Sequence, residues 1–382
     1  MSVNVLPFDQ VAIAQSDKGK RLKQRDYLTD GLLAVVDQGQ QEIGGYTDDQ
    51  SMAFEGALPV VLFGDHTRSV KLINHPFAVG ADGIKIFRPA SGVRINYLYY
   101  WMKSAPIPDR GYGRHYQFLR QLTVPLPSED QQDEIVAELE KQFSRLDEAV
   151  ANLQRVKANL KRYKASVLKA AVEGRLVETE GGWKQVKLGE IALSVRNGYS
   201  HKPDAESGTR IFRISAVRPM ELAADDVRYL SGTPADYDTF LAVSGDVLFT
   251  RYNGSRDYVG VCAVVPAGLP PTVYPDKLIR VRVPKDQLSP AFLVILASTG
   301  EGRVFLESMI RTTAGQSGVS GTDIKAIPLS VPPITEQTRI VAEVDRHLSI
   351  VREVETEVET NLKRAQALRQ ATLAKLFSGQ SR

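Results

Sequence analysis

The chain has 382 residues, of which 43% are hydrophobic and 24% charged, and its formal net charge at pH 7 is +3. This length exceeds what one hydrophobic core usually organises, and the near balance of charge excludes a globally basic chain. The lone cysteine, Cys262, excludes an intramolecular disulfide and a zinc site built from several cysteines.

The sequence contains no signal for membrane insertion or export. Its first ten residues, MSVNVLPFDQ, lack the basic segment and apolar core of a signal peptide. No apolar run approaches the roughly 20 residues that cross a bilayer. Together with the single cysteine, these features lead us to expect a cytoplasmic protein without membrane contact.

Four segments follow one another along the chain. Residues 1–127 contain short β-prone runs between glycines and prolines, which predicts a mixed α/β domain. Residues 128–176 have the seven-residue apolar repeat of a long helix. Residues 177–330 return to short β-prone runs, and residues 331–379 repeat the helical pattern. The sequence therefore predicts an α+β protein in which two mixed α/β domains alternate with two long helices.

The two helical segments are copies of each other. The first contains LPSEDQQDEIVAELEKQFSRLDE and the second VPPITEQTRIVAEVDRHLSIVRE. The tetrapeptide Ile-Val-Ala-Glu occurs at 135–138 and at 340–343, and Gln132 and Gln337 keep the same offset of 205 residues. A duplication of this length predicts two similar halves related by a pseudo-two-fold, and a partner with two-fold character.

The apolar repeat defines the faces on which the long helices should pack. Positions seven residues apart, with a three–four split between them, form the seam of a coiled coil. Acidic residues precede basic residues along each helix, which complements the helix dipole and favours an antiparallel pair. The predicted seam contains Leu139, Phe143, Leu146, Leu153, Leu160, Val344, Leu348, Val351, Val358 and Leu362.

Both helical segments carry signals for their ends. Ser128 and Gln131 have the spacing of a capping box, and Thr335 is a candidate cap for the second helix. Gly174 and Gly379 lie where a left-handed C-terminal cap is expected.

Patterns that indicate catalysis are missing from the sequence. There is no Gly-x-x-x-x-Gly-Lys-Ser/Thr loop, no complete Gly-x-Gly-x-x-Gly and no Asn-Pro-Pro-aromatic tetrapeptide. The pair Pro275-Asp276 and the triplet Asp323-Ile324-Lys325 imitate a nuclease motif, but the gap between them is long. The five histidines have no metal-ligand spacing. We therefore expect neither a catalytic residue nor a metal site.

Local clusters nevertheless suit a polyanion. Basic residues crowd positions 18–25, where they can neutralise phosphates of any sequence. Four other clusters combine arginine with amide, hydroxyl, aromatic or histidine side chains in expected loops, and arginine reads guanine whereas Asn or Gln reads adenine. The candidate DNA-contacting residues are Lys18, Lys20, Arg21, Lys23, His66, Arg68, Arg110, Tyr112, Arg114, His115, Arg251, Asn253, Ser255, Arg256, Arg311, Thr313, Gln316 and Ser317.

The order and duplication of these segments resemble the DNA-specificity subunit of Type I restriction–modification enzymes. The match spans nearly the whole chain. The first helical copy departs from the family pattern at Gln131, and the N-terminus departs from the pattern of the second half over residues 5–9. Residues 5–9 stand where residues 186–190 stand in the second half. The motifs that carry the resemblance are EQTRIV at 336–341 with its copy QQDEIV at 131–136, the helix ends SVLKAAVEG at 166–174 and ATLAKLFSG at 371–379, GWKQVKLGE at 182–190, LPVVLFGDHTR at 58–68 and AGQSGV at 314–319.

This resemblance implies a non-catalytic reader of a bipartite DNA site in a system of defence against foreign DNA. Residues 1–127 and 177–330 would be target-recognition domains, each binding one half of the site, and the two helices would be the spacer. A helix of about 45 residues is about 65 Å long, so a gap of several base pairs between the half-sites is expected.

The resemblance also implies partners and where the cofactors bind. The partners would be double-stranded DNA, two methyltransferase subunits and, in the full complex, restriction subunits. No cofactor is expected on this chain, because S-adenosylmethionine would bind the methyltransferase subunits and ATP and magnesium would act in the full complex.

Two other functions stay open at the level of the sequence. The chain can be a coiled-coil scaffold that joins two protein-binding domains. It can also be a self-contained nuclease or methylase, against which the missing motifs argue. The bases that each domain reads do not follow from the sequence.

Overall fold

The structure is a computed structural model. It describes residues 4–81, 83–111, 113–179, 181–313 and 315–378. The chain forms two compact units, of which unit 1 comprises residues 1–155 and 358–382 and unit 2 comprises residues 156–357. Both unit boundaries fall inside the long helices, so each unit contains part of both helices.

Unit 1 combines short strands and helices with the first part of one long helix and the last part of the other. Its strands are β1 (Asn4–Pro7), β2 (Ala12–Gln15), β3 (Leu33–Val36), β4 (Gly45–Thr47), β5 (Val60–Gly64), β6 (Val70–Ile73), β7 (Phe77–Val79), β8 (Ile84–Pro89) and β9 (Thr123–Leu126). Its helices are α1 (Phe8–Val11), α2 (Ile95–Ser104), α3 (Tyr116–Leu119) and the first part of α4 (Glu129–Val172).

Two sheets form the body of unit 1. One has the strand order β2-β8-β5-β6, and the other has the order β4-β3-β7 with β3 parallel to β7. Every residue of β5 is buried. Val61 and Phe63 face the core that includes the long helices, whereas Val60 and Leu62 face a second core. Both faces of β5 are therefore covered, which explains its uninterrupted apolar sequence.

Unit 2 is larger and has the same kinds of element. Its strands are β10 (Lys184–Lys187), β11 (Ser194–Asn197), β12 (Thr209–Phe212), β13 (Val217–Arg218), β14 (Glu221–Leu222), β15 (Val227–Leu230), β16 (Leu241–Ala242), β17 (Val247–Thr250), β18 (Tyr252–Asn253), β19 (Cys262–Val264), β20 (Thr272–Val273), β21 (Leu278–Arg282), β22 (Arg311–Thr313), β23 (Gln316–Gly318) and β24 (Pro328–Val331). Its helices are α5 (Leu188–Ile191), α6 (Pro290–Ser298), α7 (Gly300–Met309), α8 (Gly321–Lys325) and the first part of α9 (Ile334–Ser378).

The strand order of unit 1 recurs in unit 2. The sheet β11-β21-β17-β19 matches β2-β8-β5-β6, and the sheet β15-β12-β20-β16 contains β12 parallel to β20 as β3 is parallel to β7. β10 pairs antiparallel with β24, as β1 does with β9. Among the described residues, the sheet β18-β23-β22 has no counterpart in unit 1. The α+β fold class and the duplication are therefore confirmed.

The first strand of each unit occupies an equivalent place. The N–H of Phe8 donates to the carbonyl of Leu122 at 3.1 Å, and the N–H of Leu188 donates to the carbonyl of Ile327 at 3.0 Å. Positions 122 and 327 are 205 residues apart, which is the offset of the helical repeat. Phe8 thus corresponds to Leu188, which shifts the alignment suggested by the sequence by one residue.

The long helices pack antiparallel in unit 1. Val136, Leu139 and Phe143, from the first part of α4, share a hydrophobic core with Leu373 and Phe377, from the end of α9. The start of one helix therefore lies against the end of the other, and both complete the core of the same α+β fold.

The same antiparallel packing occurs in unit 2 with the roles of the helices exchanged. Leu168 and Ala171, near the end of α4, share a core with Ile340, Val344 and Leu348, near the start of α9. The antiparallel pairing that the charge pattern predicted is thus confirmed within each unit. The helices contribute to the two cores directly, whereas the sequence indicated that they were separate spacers.

Burial varies along the predicted seam. The buried seam residues are Leu139, Phe143, Val344, Leu348, Val351 and Val358. The half-buried ones are Leu146, Leu153, Leu160 and Leu362. The middle of α4 is therefore packed less tightly than the middle of α9.

The start of α4 agrees closely with expectation. The N–H of Ser128 donates to Gln131 Oε1 at 3.2 Å, and the N–H of Gln131 donates to Ser128 Oγ at 3.4 Å, so the capping box is present. The helix ends at Val172, shortly before Gly174, whose φ of +66° is the expected left-handed cap.

The start of α9 differs from expectation. The helix begins at Ile334, and residues 328–331 form β24. Thr335 therefore lies inside the first turn and does not cap it, because the two prolines before Ile334 connect strand and helix directly. Gly379 lies outside the described residues.

Candidate nucleic-acid interface

Two of the predicted clusters meet in unit 1. The turn after β5 contains His66 and Arg68, and the segment before α3 contains the second cluster. The guanidinium of Arg68 lies 2.6 Å from Asp109 Oδ2, and His66 Nδ1 lies 3.1 Å from the carbonyl of Gly113. The hydrogen bond from the Gly111 N–H, and then the positive charge of Arg68, hold the pKa of Asp109 below its usual range. The sheet thus brings together residues that are about 45 positions apart in sequence.

His115 has a structural role in this cluster. It is fully buried, its Nδ1 lies 2.9 Å from the carbonyl of Asp65, and the N–H of Arg110 points to its Nε2 at 3.3 Å. Both ring nitrogens are therefore occupied. The expectation that His115 itself contacts a ligand does not fit this geometry, because the ring has neither exposure nor a spare donor. Arg110 and Arg114, on either side, are exposed.

A third segment, residues 37–44, joins the same place in unit 1. Gln38 accepts hydrogen bonds at its carbonyl from Thr67 Oγ1 and Ser69 Oγ, at 2.5 and 2.7 Å. Its side-chain Oε1 accepts from the N–H of His66 at 3.2 Å. Residues 40–42, at the tip of this loop, are exposed. The sequence did not single out this loop, because it contains no arginine or lysine.

Lys71, in β6, holds the backbone of the loop of residues 37–44 through hydrogen bonds. Its side chain is 8% exposed and its Nζ donates to the carbonyls of Asp37 and Gln41, at 2.7 and 2.5 Å. Burial lowers the pKa of Lys71, and the carboxylate of Asp37, 3.8 Å away, opposes that effect. A buried ammonium that is satisfied by carbonyls fixes the loop backbone without using the loop side chains.

The basic cluster near the N-terminus is held by one acid. Lys18 and Lys20 each place Nζ 2.6 Å from a different oxygen of Glu55. The hydrogen bond from Lys18 and then that from Lys20 lower the pKa of Glu55 to about 2. Arg21 pairs with Asp17 at 2.5 Å, and Lys23 is exposed. Much of this positive charge is therefore already matched within the chain.

Unit 2 also brings two clusters together. β18, which follows β17, pairs with β23 so that Asn253 lies opposite Ser317. β22 pairs with the other edge of β23, with Thr312 opposite Ser317. The loops of residues 251–256 and 311–317 thus form one small sheet.

Tyr252, on the edge strand β18, lies opposite Gly318 of the middle strand β23. The guanidinium of Arg251 lies 4.6 Å from the ring centroid of Tyr252. A Cβ on Gly318 would approach Tyr252 Cδ1 to 2.2 Å, so only glycine admits the ring there. Arg251 Nε is buried without a partner among the described residues. Arg251 was a candidate contact in the sequence, and Tyr252 belongs to the same predicted cluster of residues 251–256.

The remaining candidates of unit 2 differ in exposure. Arg311 and Gln316 are exposed, and Arg311 lies 3.7 Å from Asp323. Arg256 is exposed and donates to the carbonyl of Glu307 at 3.0 Å. Ser255 is exposed, whereas Ser317 is 7% exposed. Ser317 therefore supports the sheet more than it offers a contact.

Two further candidates, Tyr112 and Thr313, have side chains outside the described part of the structure. Tyr112 lies outside the described residues, and the side chain of Thr313 is not described.

The two candidate sites occupy equivalent places in the duplicated fold. In each unit the first cluster follows the third strand of the four-stranded sheet, which is β5 or β17. The second cluster precedes a short helix, which is α3 or α8, and then the last strand of the unit. The side chains at these places differ between the units.

No group of three or more His, Cys, Asp or Glu side chains among the described residues is arranged to hold a metal ion. No described helix is both long and apolar enough to cross a membrane.

These features define a class of internally repeated proteins in which two similar α+β folds each use parts of the same two long helices. The chain belongs to the family of Type I restriction-enzyme specificity subunits. No family model matches the sequence.

Curated relatives support this membership. The chain is 34% identical over 268 residues to the specificity subunit of the Type I restriction enzyme EcoKI from Escherichia coli strain K12, across 68% of this chain and 58% of that protein. It is 26% identical over 309 residues to the StySPI specificity subunit from Salmonella potsdam, across 77% of this chain and 67% of that protein. The chain thus spans less than two thirds of the EcoKI subunit.

Solved structures show the same fold. A chain from a study of complex assembly and conformational transition of the type I R-M system gives a TM-score of 0.72 at 15% identity, over 98% of this chain and 97% of that one. The HsdS subunit from Thermoanaerobacter tengcongensis gives 0.53 at 16% identity, over 99% and 97%. The fold that the resemblance in the sequence implied is therefore confirmed.

Proposed function

We propose that this chain is a non-catalytic, sequence-specific DNA-binding subunit that reads a bipartite site, with one half-site bound by each unit. The observation that carries this proposal is the convergence of two predicted clusters at equivalent places in both units. Exposed arginines at those places, Arg110 and Arg114 in unit 1 and Arg256 and Arg311 in unit 2, suit phosphates and guanine edges.

The two units would read different half-sites. Unit 1 offers a glutamine-rich loop, at residues 37–44, beside its arginines. Unit 2 offers Tyr252 and the sheet β18-β23-β22 instead. A duplicated fold with unlike side chains at the equivalent surface fits a split site with two unlike halves.

The partners in this proposal are double-stranded DNA, two methyltransferase subunits and, in the full complex, restriction subunits. The methyltransferase subunits would bind S-adenosylmethionine, and ATP and magnesium would act in the full complex. The duplicated surfaces of α4 and α9 would offer each methyltransferase subunit an equivalent place to dock.

The test is reconstitution in cells that lack other methylation systems. The chain is expressed with its methyltransferase subunit, and the methylated motif is determined by methylome sequencing. We expect one bipartite motif that disappears when this chain is omitted. Methylation that persists without the chain, or a motif without a gap, contradicts the proposal.

A domain exchange tests the assignment of half-sites. Replacing residues 178–330 with the corresponding segment of another specificity subunit should change one half of the motif and leave the other half intact. If both halves change, the units do not read independently.

A further inference from the structure

In addition to its apolar packing, each long helix is hydrogen-bonded to the α+β body of a unit through one buried glutamine. Gln132, in the first turn of α4, and Gln337, in the first turn of α9, are both 0% exposed. Their positions are 205 residues apart, so they are the same residue of the repeat. A fully buried polar side chain requires partners for all its hydrogen-bonding groups, and both glutamines have them.

In unit 1 the amide of Gln132 makes three hydrogen bonds. Its Nε2 donates to the carbonyl of Pro127 and to the carbonyl of Gly92, each at 2.9 Å. Its Oε1 accepts from the N–H of Arg94 at 2.8 Å. Arg94 is the residue immediately before α2, so Gln132 connects the start of the long helix to the start of a helix in the α+β body.

In unit 2 the amide of Gln337 makes the same three bonds. Its Nε2 donates to the carbonyl of Pro332 at 2.8 Å and to the carbonyl of Gln287 at 2.9 Å. Its Oε1 accepts from the N–H of Ser289 at 2.8 Å. Ser289 immediately precedes α6, which is the counterpart of α2.

The partners of both glutamines are backbone groups. The sequences around Arg94 and Ser289, VRINYL and LSPAFL, are identical only at their last leucine, yet the bonds are the same within 0.1 Å. We call the three hydrogen bonds of each glutamine a joint. Because this joint uses only backbone atoms of the α+β body, it does not depend on the side chains of that body. The body can therefore diverge to read another sequence while its attachment to the helix is kept.

We propose that Gln132 and Gln337 are positioning residues that fix the direction in which each unit is held on its long helix, and so set the gap between half-sites that the chain accepts. This inference rests on the proposed function. A loosened joint lets the unit tilt on its helix, so the chain then tolerates gaps that the intact joint rejects. The residues act through the joint and touch no DNA.

The experiment uses the full chain in complex with its methyltransferase subunits. Gln132→Met and Gln337→Met keep the side-chain volume and remove all three bonds. Binding is measured to duplexes that carry the native gap, one base pair fewer and one base pair more. We expect the wild type to bind the altered gaps at least about tenfold more weakly, and each variant to discriminate by about threefold or less.

Two controls separate positioning from stability. Gln131→Met changes the neighbouring exposed glutamine, whose partner is Ser128 at the helix cap. Val136→Ala removes core volume from the same helix and lowers stability without touching the joint. Both should keep the tenfold discrimination of the wild type. If Gln337→Met does not fold, Gln337→Glu keeps the acceptor for the Ser289 N–H, loses both donations, and is measured in the same way.

The outcomes distinguish this inference from the proposed function. Variants that discriminate between gaps as sharply as the wild type overturn the inference and leave DNA reading intact. Variants that lose affinity by the same factor at every gap also overturn it, because the glutamines would then serve stability alone. A wild-type complex that binds no bipartite duplex, or ignores its gap, overturns the proposed function itself.

Discussion

At the scale of single residues, Glu55 decides how much of the N-terminal basic cluster is available to phosphate. Its carboxylate binds both Lys18 and Lys20, and all three side chains are substantially exposed to solvent. Exposed ion pairs contribute little to folding, so this pairing controls charge more than stability. Because the pKa of Glu55 is lowered from its usual 4.5 to about 2, its carboxylate stays ionised until the pH falls to about 2.

We predict that Glu55→Gln increases sequence-independent DNA binding. The two lysines lose their internal anion, so their charge can displace counterions from the duplex, although Lys20 keeps its hydrogen bond to the carbonyl of Ser51. The slope of log affinity against log salt should become more negative by up to about two, since each added phosphate contact contributes roughly 0.9. The measurement is a titration of a duplex without the recognition motif at several salt concentrations.

Glu148→Gln is the matched control for this prediction. It changes the net charge by the same amount on the exposed surface of α4, away from the lysines. Its salt slope should equal that of the wild type. A Glu55→Gln protein with an unaltered slope would mean that Lys18 and Lys20 do not reach phosphate.

At the scale of elements, the loop of residues 37–44 depends on Lys71 in β6. We predict that Lys71→Met loosens this loop and weakens recognition of the half-site that we propose for unit 1. Two carbonyls would lose a buried donor, at a cost of about 1–3 kcal/mol each if they stay unsatisfied. Hydrogen exchange over residues 37–44 should become faster, and affinity for the native motif should fall while affinity for unrelated DNA changes little.

Lys103→Met serves as the comparison, because it removes one positive charge from α2 in the same unit without touching the loop. Loss of specific binding in both variants would mean that the removed positive charge, and not the loop, accounts for the weaker binding. Loss in Lys71→Met alone, without faster exchange in the loop, would show that the loop is not the element that Lys71 supports.

The sequence predicted the elements far better than the contacts between them. The long helices were visible because their apolar repeat and caps are local signals, and the duplication was visible because α4 and α9 kept the same residues. The loop of residues 37–44 was missed because its anchor, Lys71, lies in another element and binds carbonyls, which leave no trace in a sequence. His115 was misjudged for the same reason, since the carbonyl of Asp65 that its ring contacts lies 50 residues away in sequence.

The candidate site was predicted only in pieces. The clusters at residues 65–68 and 110–116 were recognised separately, and so were those at 251–256 and 311–317. Strand order brings each pair together, and strand order is a non-local property that composition does not encode. Gln132 and Gln337 were noticed as repeated residues, but their role needed the backbone of α2 and α6.

At the scale of the whole molecule, each unit is completed by residues distant in sequence. The core of unit 1 includes Leu373, which is 1% exposed, and the core of unit 2 includes Leu168, which is 7% exposed. These two leucines are 205 residues apart and are therefore the same position of the repeat. Leu373, near the end of the chain, thus supports the N-terminal unit, and Leu168, at the end of the first repeat, supports the second.

We predict that the repeat-related substitutions Leu373→Ala and Leu168→Ala destabilise different units. Each creates a cavity in one core, and a buried Leu→Ala change typically costs about 2–5 kcal/mol. In Leu373→Ala, hydrogen exchange should accelerate in α2 of unit 1 while α6 of unit 2 keeps its protection, and Leu168→Ala should do the reverse. Each variant is the control for the other, since both remove the same atoms from the same repeat position. Equal acceleration in α2 and α6 from either substitution would contradict this prediction. It would mean that the two units unfold together, because the long helices couple the stability of one core to that of the other.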